Sequence, residues 1–407
     1  MRIRLFPPYY SCRYSTSPVA DWLDDFAQSL KASGYTRTPI RGHISILRWA
    51  LERRAPVPRD THFSHAELQQ LFGSSKKPRL FRATQHVFER FLRSCEQWIE
   101  EPRTDRHAAL LDAYRAYLLE MRGLSAMSVY HHIAAARAFL KQAVPLTRCL
   151  AEVSVKDTER FVAVSAQRFG RSSLQQRIGY LRSFLRFCHD RGVVRAHLDA
   201  IDAPRKYRGE RPPRAIPWKL AQRLLASIDR SSSLGERDYA VLYLMNHYGL
   251  RTGEITTLRL DSIDWNAGEL HVAQNKTRSA LVLPITVQAG AVLKRYLRRG
   301  RPHTERGELF LTVLAPVGPL TTAAIGTMFR RRAQQSGLPL NSSSPYGLRH
   351  GFAMRLLEQG VGVKAIGDLL GHCSLESTCV YLRLQVEALR DVALPMPALP
   401  TNSGRVS

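Results

Sequence analysis

Ile201 to Pro217 read IDAPRKYRGERPPRAIP, with five basic residues, five prolines or glycines and no apolar period. Proline fixes φ and removes backbone donors, so neither a helix nor a paired strand runs through this stretch. What folds must fold on either side of it, joined by a linker stiffened by proline and positively charged. A chain of 407 residues leaves room for two or three bodies, each able to bury its own core.

Upstream of the linker the apolar spacing is helical. Val19, Trp22, Leu23, Phe26 and Leu30 predict a helix over 18–33, with Gly34 as its stop. A second helix is expected from about Pro39 to Glu52, and Ser64 with Glu67 three residues on reads as a capping box before Leu68, Leu71 and Phe72. Arg82 to Ile99 is read as one further helix. The order then recurs: a helix over 107–122 stopped by Gly123, a second capped by Ser125, and a shorter one after Ser154. Setting Gly34 against Gly123 aligns His43 with His132, Ile44 with Ile133, Arg48 with Arg137 and Leu51 with Leu140. That is what a degenerate duplication looks like, although helical hairpins also resemble one another by patterning alone. Residues 172–188 form an amphipathic helix with Arg177, Arg182 and Arg186 off its apolar face.

Downstream, helices are expected at Trp218–Ser227 and Asp238–Tyr248, then a short one in LRTGEITTLRLDSIDW. The alternation of Leu270, Val272, Leu281, Leu283 and Ile285 predicts two strands around a polar turn at Asn275–Ser279. Helices follow at 287–299 and 322–336, and prolines 395, 397 and 400 mark an extended tail.

Sixty Lys+Arg against 34 Asp+Glu give a formal charge of +26, which self-repels in a compact state unless a polyanion is the usual partner. No stretch approaches the ~20 apolar residues of a membrane span, so no membrane partner is expected. The six cysteines are scattered without CxxC or zinc spacing. The start, MRIRLFPPYYSCRY, makes a poor signal peptide. A cytoplasmic, nucleoid-associated protein is the expectation. The basic stretches Lys294–Arg301 and Arg330–Arg332 fit phosphate contacts or solvated helix faces.

Ser344 to Tyr381 carries the chemistry. It sets Tyr346, Arg349 and His350 at the start of one expected helix, His372 after a second and Tyr381 on a third. An arginine, a histidine and a tyrosine delivered to one place make a site for an anionic group with a phenolic nucleophile at hand. Four further motifs lie in order with that tyrosine: YGLRTGEITTLR, a lysine in the hairpin turn, YGLRHGFAMRLL, and LLGH nine residues before Tyr381.

On these motifs residues 215–390 resemble the catalytic domain of the tyrosine recombinase/integrase family, and residues 107–200 resemble its helical core-binding domain. The expected fold is mainly α with a small antiparallel β-sheet in the catalytic domain. The expected division is an extra helical region at 1–103, a core-binding domain at 104–200, a basic linker at 201–214, the catalytic domain at 215–390 and a tail at 391–407. The resemblance implies site-specific strand exchange on double-stranded DNA through a 3′-phosphotyrosyl intermediate, serving integration, excision or transposition. Arg251 and Arg349 match the two phosphate-clamping arginines, and arginine suits that task because it is permanently charged and donates two parallel hydrogen bonds. Tyr381 matches the nucleophile and His372 the histidine that bonds the scissile phosphate. Lys276 matches the lysine that protonates the leaving 5′-oxygen, with Arg278 close enough to compete for the role. Glu254, three residues after Arg251, is expected on the same helical face, orienting the cations from behind.

One position departs from the pattern. Tyr346 stands where the family commonly has histidine, and a phenol near pKa 10 is a poor base at neutrality. Proton acceptance from Tyr381 then falls to His350, His372 or water, or the reaction is slower. Transesterification conserves bond energy, so no cofactor, metal or ATP is implied. A C-shaped clamp and a synaptic tetramer are implied, with or without sibling recombinases, and Val386, Leu389, Val392 and Leu394 are candidates for docking on a neighbour. Two other classes share features: a type IB topoisomerase, and a DNA-binding accessory homologue with little or no catalysis.

Overall fold

In the computed structural model the described residues are 14, 16–54, 56–73, 78–100, 106–144, 148–205, 214–274, 279–371, 376–379 and 381. The chain divides into two compact units, Glu100–Glu210 and Met1–Ile99 with Arg211–Ser407.

The first helices are α1 (Ala20–Ala32), α2 (Arg37–Glu52), α3 (His65–Phe72) and α4 (Pro78–Ser94). They close on a core of Trp22, Phe26, Phe63, Phe88 and Phe91, whose rings meet mainly edge to face. Ser64 and Glu67 form the expected capping box. The helix anticipated over Arg82–Ile99 ends at Ser94 instead. Glu96 takes a positive φ of 58°, and Phe63 donates to Gln97 and accepts from Ile99, both at 2.9 Å. Those two backbone bonds turn Gln97–Ile99 into a bridge where an unbroken helix was expected.

In Glu100–Glu210 lie α5 (Ala108–Ala116), continuing as a π turn over Tyr117–Met121, then α6 (Ala126–Ala143), α7 (Val155–Arg168) and α8 (Arg171–Asp190). Leu111, Tyr114, Ile133, Phe139, Leu181 and Phe184 fill its core.

The third core is built by α9 (Trp218–Ala226), α10 (Ser233–His247), α11 (Thr252–Thr257), strands β1 (Ile263–Asp264), β2 (Glu269–Gln274) and β3 (Ser279–Pro284), α12 (Val287–Arg295, with a π turn to Gly300) and α13 (Thr322–Gln335). After it come α14 (Tyr346–Glu358), α15 (Val363–Leu370) and α16 (Glu376–Cys379). The sheet is antiparallel in the order β1-β2-β3, with Gln274 opposite Ser279. The two-residue β1 lies below the length at which alternation can be read.

Helix α10 begins five residues before its expected start, at a Ser232 cap accepting from Gly235. The extra turn, which reads as loop in the sequence, carries Glu236, and Asp238 follows it, the two buried at 1% and 0% exposure. Arg230 and Arg295 neutralise Glu236, and Arg237, Arg331 and Arg332 converge on Asp238. Arg295, Arg331 and Arg332, grouped above with phosphate contacts, thus serve an internal charge network. No described helix is long and apolar enough to cross a membrane.

Candidate active site

The first turn of α14 is held where the chain re-enters after the linker. Ile216 donates to the Gly347 carbonyl at 2.9 Å, and a Cβ on Gly351 would lie 2.2 Å from the Ile216 oxygen. Two glycines one turn apart let this segment lie flat on the helix, and that fixes Arg349 between them.

Arg349 is 1% exposed. Its Nη1 donates to the Gly249 carbonyl at 2.6 Å and its Nη2 to the Leu370 carbonyl, while Nη1 stands 3.7 Å from Glu254 Oε2. One guanidinium therefore ties the turn after α10, the end of α15 and helix α11 together. Its Nε, fully buried, has no hydrogen bond among the described residues. A buried donor without a partner costs about 1–3 kcal/mol.

Arg251 does not share a helical face with Glu254, contrary to expectation. It is the extended N-cap residue of α11. Glu254 reaches back, accepting from the Arg251 backbone N–H at 2.7 Å and from its Nη1 at 2.6 Å. Nη2 donates to the Gly371 carbonyl at 3.3 Å. Gly371 ends α15 at φ +56°, and a Cβ there would lie 1.9 Å from Gln274 Oε1. The backbone conformation and the close approach both call for glycine. Two guanidinium groups on one carboxylate leave one positive charge uncompensated, which matches the single negative charge of a phosphodiester.

Tyr381, expected on a third helix, lies in a turn beyond α16, its backbone N–H donating to the Thr378 carbonyl at 3.0 Å. It is 3% exposed and packs in a small cluster with Ala353, Leu357, Ile366 and Leu370. Its hydroxyl stands 2.9 Å from His350 Nδ1. Burial pushes the phenol up to about 12, Tyr346 adds to the rise, and Arg349 and Arg251 oppose it. Burial, with Arg349 beside it, holds the His350 imidazole down at about 4. At neutral pH the phenol is protonated and the imidazole neutral, and the two share one hydrogen bond between the hydroxyl and Nδ1. Full transfer of the phenol proton is uphill, so it must accompany attack or await a charge that rebalances the pair.

Tyr346 is 44% exposed, with its ring edge-on to His350 at 4.8 Å. Lys276 and His372, like Val386, Leu389, Val392 and Leu394, lie outside the described residues. The motifs gave no hint of Gln274, buried at 3% at the end of β2 against Gly371. A polar residue at an inward position of an alternating strand was the available signal.

The profile of the phage integrase family matches residues 216–388. The integrase/recombinase y4rA of Sinorhizobium fredii is 31% identical over 393 residues, covering 93% of this chain and 95% of that protein. The tyrosine recombinase XerD of Listeria monocytogenes is 27% identical, covering 70% of this chain and 96% of its own. Among solved structures, lambda integrase residues 75–356 bound to a COC′ core site align at TM-score 0.51 and 18% identity over 67% of this chain and 94% of theirs. The Tn1549 transposon integrase in complex with transposon right end DNA aligns at 0.53 and 16% over 70% and 99%. These two share the fold, and the full-length likeness to y4rA carries the family beyond the catalytic part. The chain belongs to the phage integrase family and is a tyrosine-type DNA recombinase.

Proposed function

We propose that this recombinase exchanges strands at specific DNA sites with Tyr381 as nucleophile. The observation that carries the reading is the Tyr381 hydroxyl bonded to His350, next in sequence to the buried Arg349, which shares Glu254 with Arg251. Arg251, Arg349 and His372 hold the nonbridging oxygens of the scissile phosphate. The Tyr381 oxygen attacks phosphorus as His350 accepts its proton, and the 5′-oxygen leaves with a proton from Lys276. The products are a 3′-phosphotyrosyl protein and a free 5′-hydroxyl, and attack by a second strand's 5′-hydroxyl reverses the step. Phosphate charge offsets Arg349 and makes the His350 imidazolium easier to form, which answers the uphill transfer in the DNA-free site.

Residues 104–200 and 215–390 act as the two jaws on the duplex, joined by the linker at 201–214, with 1–103 as a further helical region. Four protomers form the synapse, with or without sibling recombinases, and the segment after Tyr381 docks on a neighbour. The reaction serves integration, excision or transposition inside the cell. Nicked duplexes recovered by selection from a random pool test the chemistry: the wild type is expected to form a covalent adduct and Tyr381→Phe none. An adduct that survives Tyr381→Phe would remove the nucleophile assignment. No adduct from the wild type would favour an accessory DNA-binding role.

A further inference from the structure

Helices α1–α4 and α5–α8 correspond element by element. Leu23, Phe26 and Leu30 match Leu111, Tyr114 and Leu118, all buried, 88 positions on. The π turn at Tyr117–Met121 then adds one residue. From there Ile40, Ile44, Leu47 and Leu51 match Val129, Ile133, Ala136 and Leu140, again all buried, at 89. The Ser64/Glu67 capping box recurs as Ser154/Asp157. RFLRSC in α4 recurs as SFLRFC in α8, with Phe91 and Leu92 buried like Phe184 and Leu185. His43 and His132, at matching positions, each place Nδ1 2.9 Å from a hydroxyl, of Thr84 and Tyr114 respectively. Amphipathic patterning explains the apolar matches. It does not explain a histidine, a box and an FLR-x-C run in the same order, at offsets of 89, 90 and 93.

The face beside that histidine is basic in both copies. In the second, Arg122, Tyr180, Arg182 and Arg186 line a cleft of about 530 Å³ that includes His132. In the first, Tyr35 precedes the N-cap Thr36 of α2 and accepts from Arg90 Nη2 at 3.1 Å, which brings α4 to the start of α2. Arg37 and Arg41 stand there one turn apart, and no acidic residue lies in that first turn. Arg90 occupies the place of Ser183, and Arg41 that of Tyr130. Arg186 falls on Arg93, but Arg37, Arg41 and Arg90 have no basic counterpart in the second copy, so their charge is not a by-product of the shared core pattern.

We propose that residues 16–99 are a second copy of the helical module at 106–205 and grip duplex DNA, with Arg37, Arg41 and Arg90 on phosphates. This rests on the reading of the chain as a DNA recombinase. The test uses the full chain and a 60-base-pair duplex of arbitrary sequence, with binding followed by fluorescence anisotropy across a salt series. In the triple variant Arg37→Ala, Arg41→Ala, Arg90→Ala, the slope of log affinity on log salt is expected to fall by roughly 0.9 for each phosphate that the variant leaves unneutralised. The triple Lys variant is expected to recover most of it, which separates missing charge from a damaged fold. An unchanged slope and affinity in the Ala variant would overturn the proposal. So would a loss confined to DNA-free self-association in sedimentation velocity, which would make the face a protein contact. Adduct formation reports independently: a wild type with the expected salt behaviour but no covalent adduct would sink the catalytic reading and support the grip.

Discussion

Arg349 and Tyr381 are buried almost equally, at 1% and 3% exposure, yet what surrounds them differs. Arg349 is bonded to the carbonyls of Gly249 and Leu370 and faces Glu254, so three segments of the chain depend on it. Tyr381 sits in a cluster apart from the main core, after a helix of four residues. The proposed phosphate clamp is therefore preorganised, its cost met in folding, as electrostatic catalysis requires. The nucleophile rests against His350 in a state that raises its pKa.

The largest effect that tests this contrast is Arg349→Ala. It should abolish the adduct and cost about 2–6 kcal/mol of stability, because two buried carbonyls lose their donor at about 1–3 kcal/mol each, while Glu254 keeps Arg251. Tyr381→Phe should abolish the adduct as completely while costing about 0.5–1.5 kcal/mol, one hydrogen bond. Urea denaturation read beside a gel assay of the adduct makes the comparison, and equal stability losses would erase the distinction between clamp and nucleophile. Arg251→Ala falls between. With its side chain 18% exposed, it should slow cleavage by about 10²–10³ and destabilise less than Arg349→Ala.

His350→Asn should slow single-turnover cleavage by at least ~10²-fold, the lower range for a general base, and change the pH profile. The imidazole must be neutral to accept a proton. Its pKa in the folded protein, about 4, lies below the ordinary 6.5, and phosphate charge raises it in the DNA complex. The acid limb of cleavage is therefore expected between pH 4 and 6.5 and should vanish in the variant. Stability follows the same sign. The unfolded chain binds the His350 proton first, so the folded state gains from this group as pH rises from about 4 to 6.5. An acid limb unchanged in His350→Asn would reassign the base.

Much of this was legible because periodicity and caps are local. Ser64, Ser125 and Ser154 announced three helices, and alternation from Leu270 to Leu283 placed two strands of the sheet. What could not be read depends on partners distant in sequence. Glu236 looked like a loop residue and the burial of Asp238 could not be seen, because their neutralising arginines include Arg295, Arg331 and Arg332. Arg82–Ile99 looked like one helix because the competing bridge comes from Phe63. In the site, residue types and order were visible, but Glu254 acts by reaching back to an N-cap, and Arg349 is positioned by two backbone carbonyls, which no side-chain motif encodes.

The smallest expected effect is the most discriminating for the base. Tyr346→His restores the residue common at this position in the family. Tyr346 is 44% exposed and touches His350 through its ring edge, and its charge interaction raises the Tyr381 pKa. Replacing it removes that interaction and leaves the Tyr381–His350 bond in place, so cleavage should rise by less than about tenfold, equivalent to ~1.4 kcal/mol in the barrier. If His350 is the acceptor, the gain disappears in Tyr346→His combined with His350→Asn, because the phenol has lost the imidazole it is bonded to. If the double variant instead cleaves as fast as the wild type, position 346 can carry the proton itself, and the contrast between a fixed clamp and a nucleophile held by His350 loses its second half.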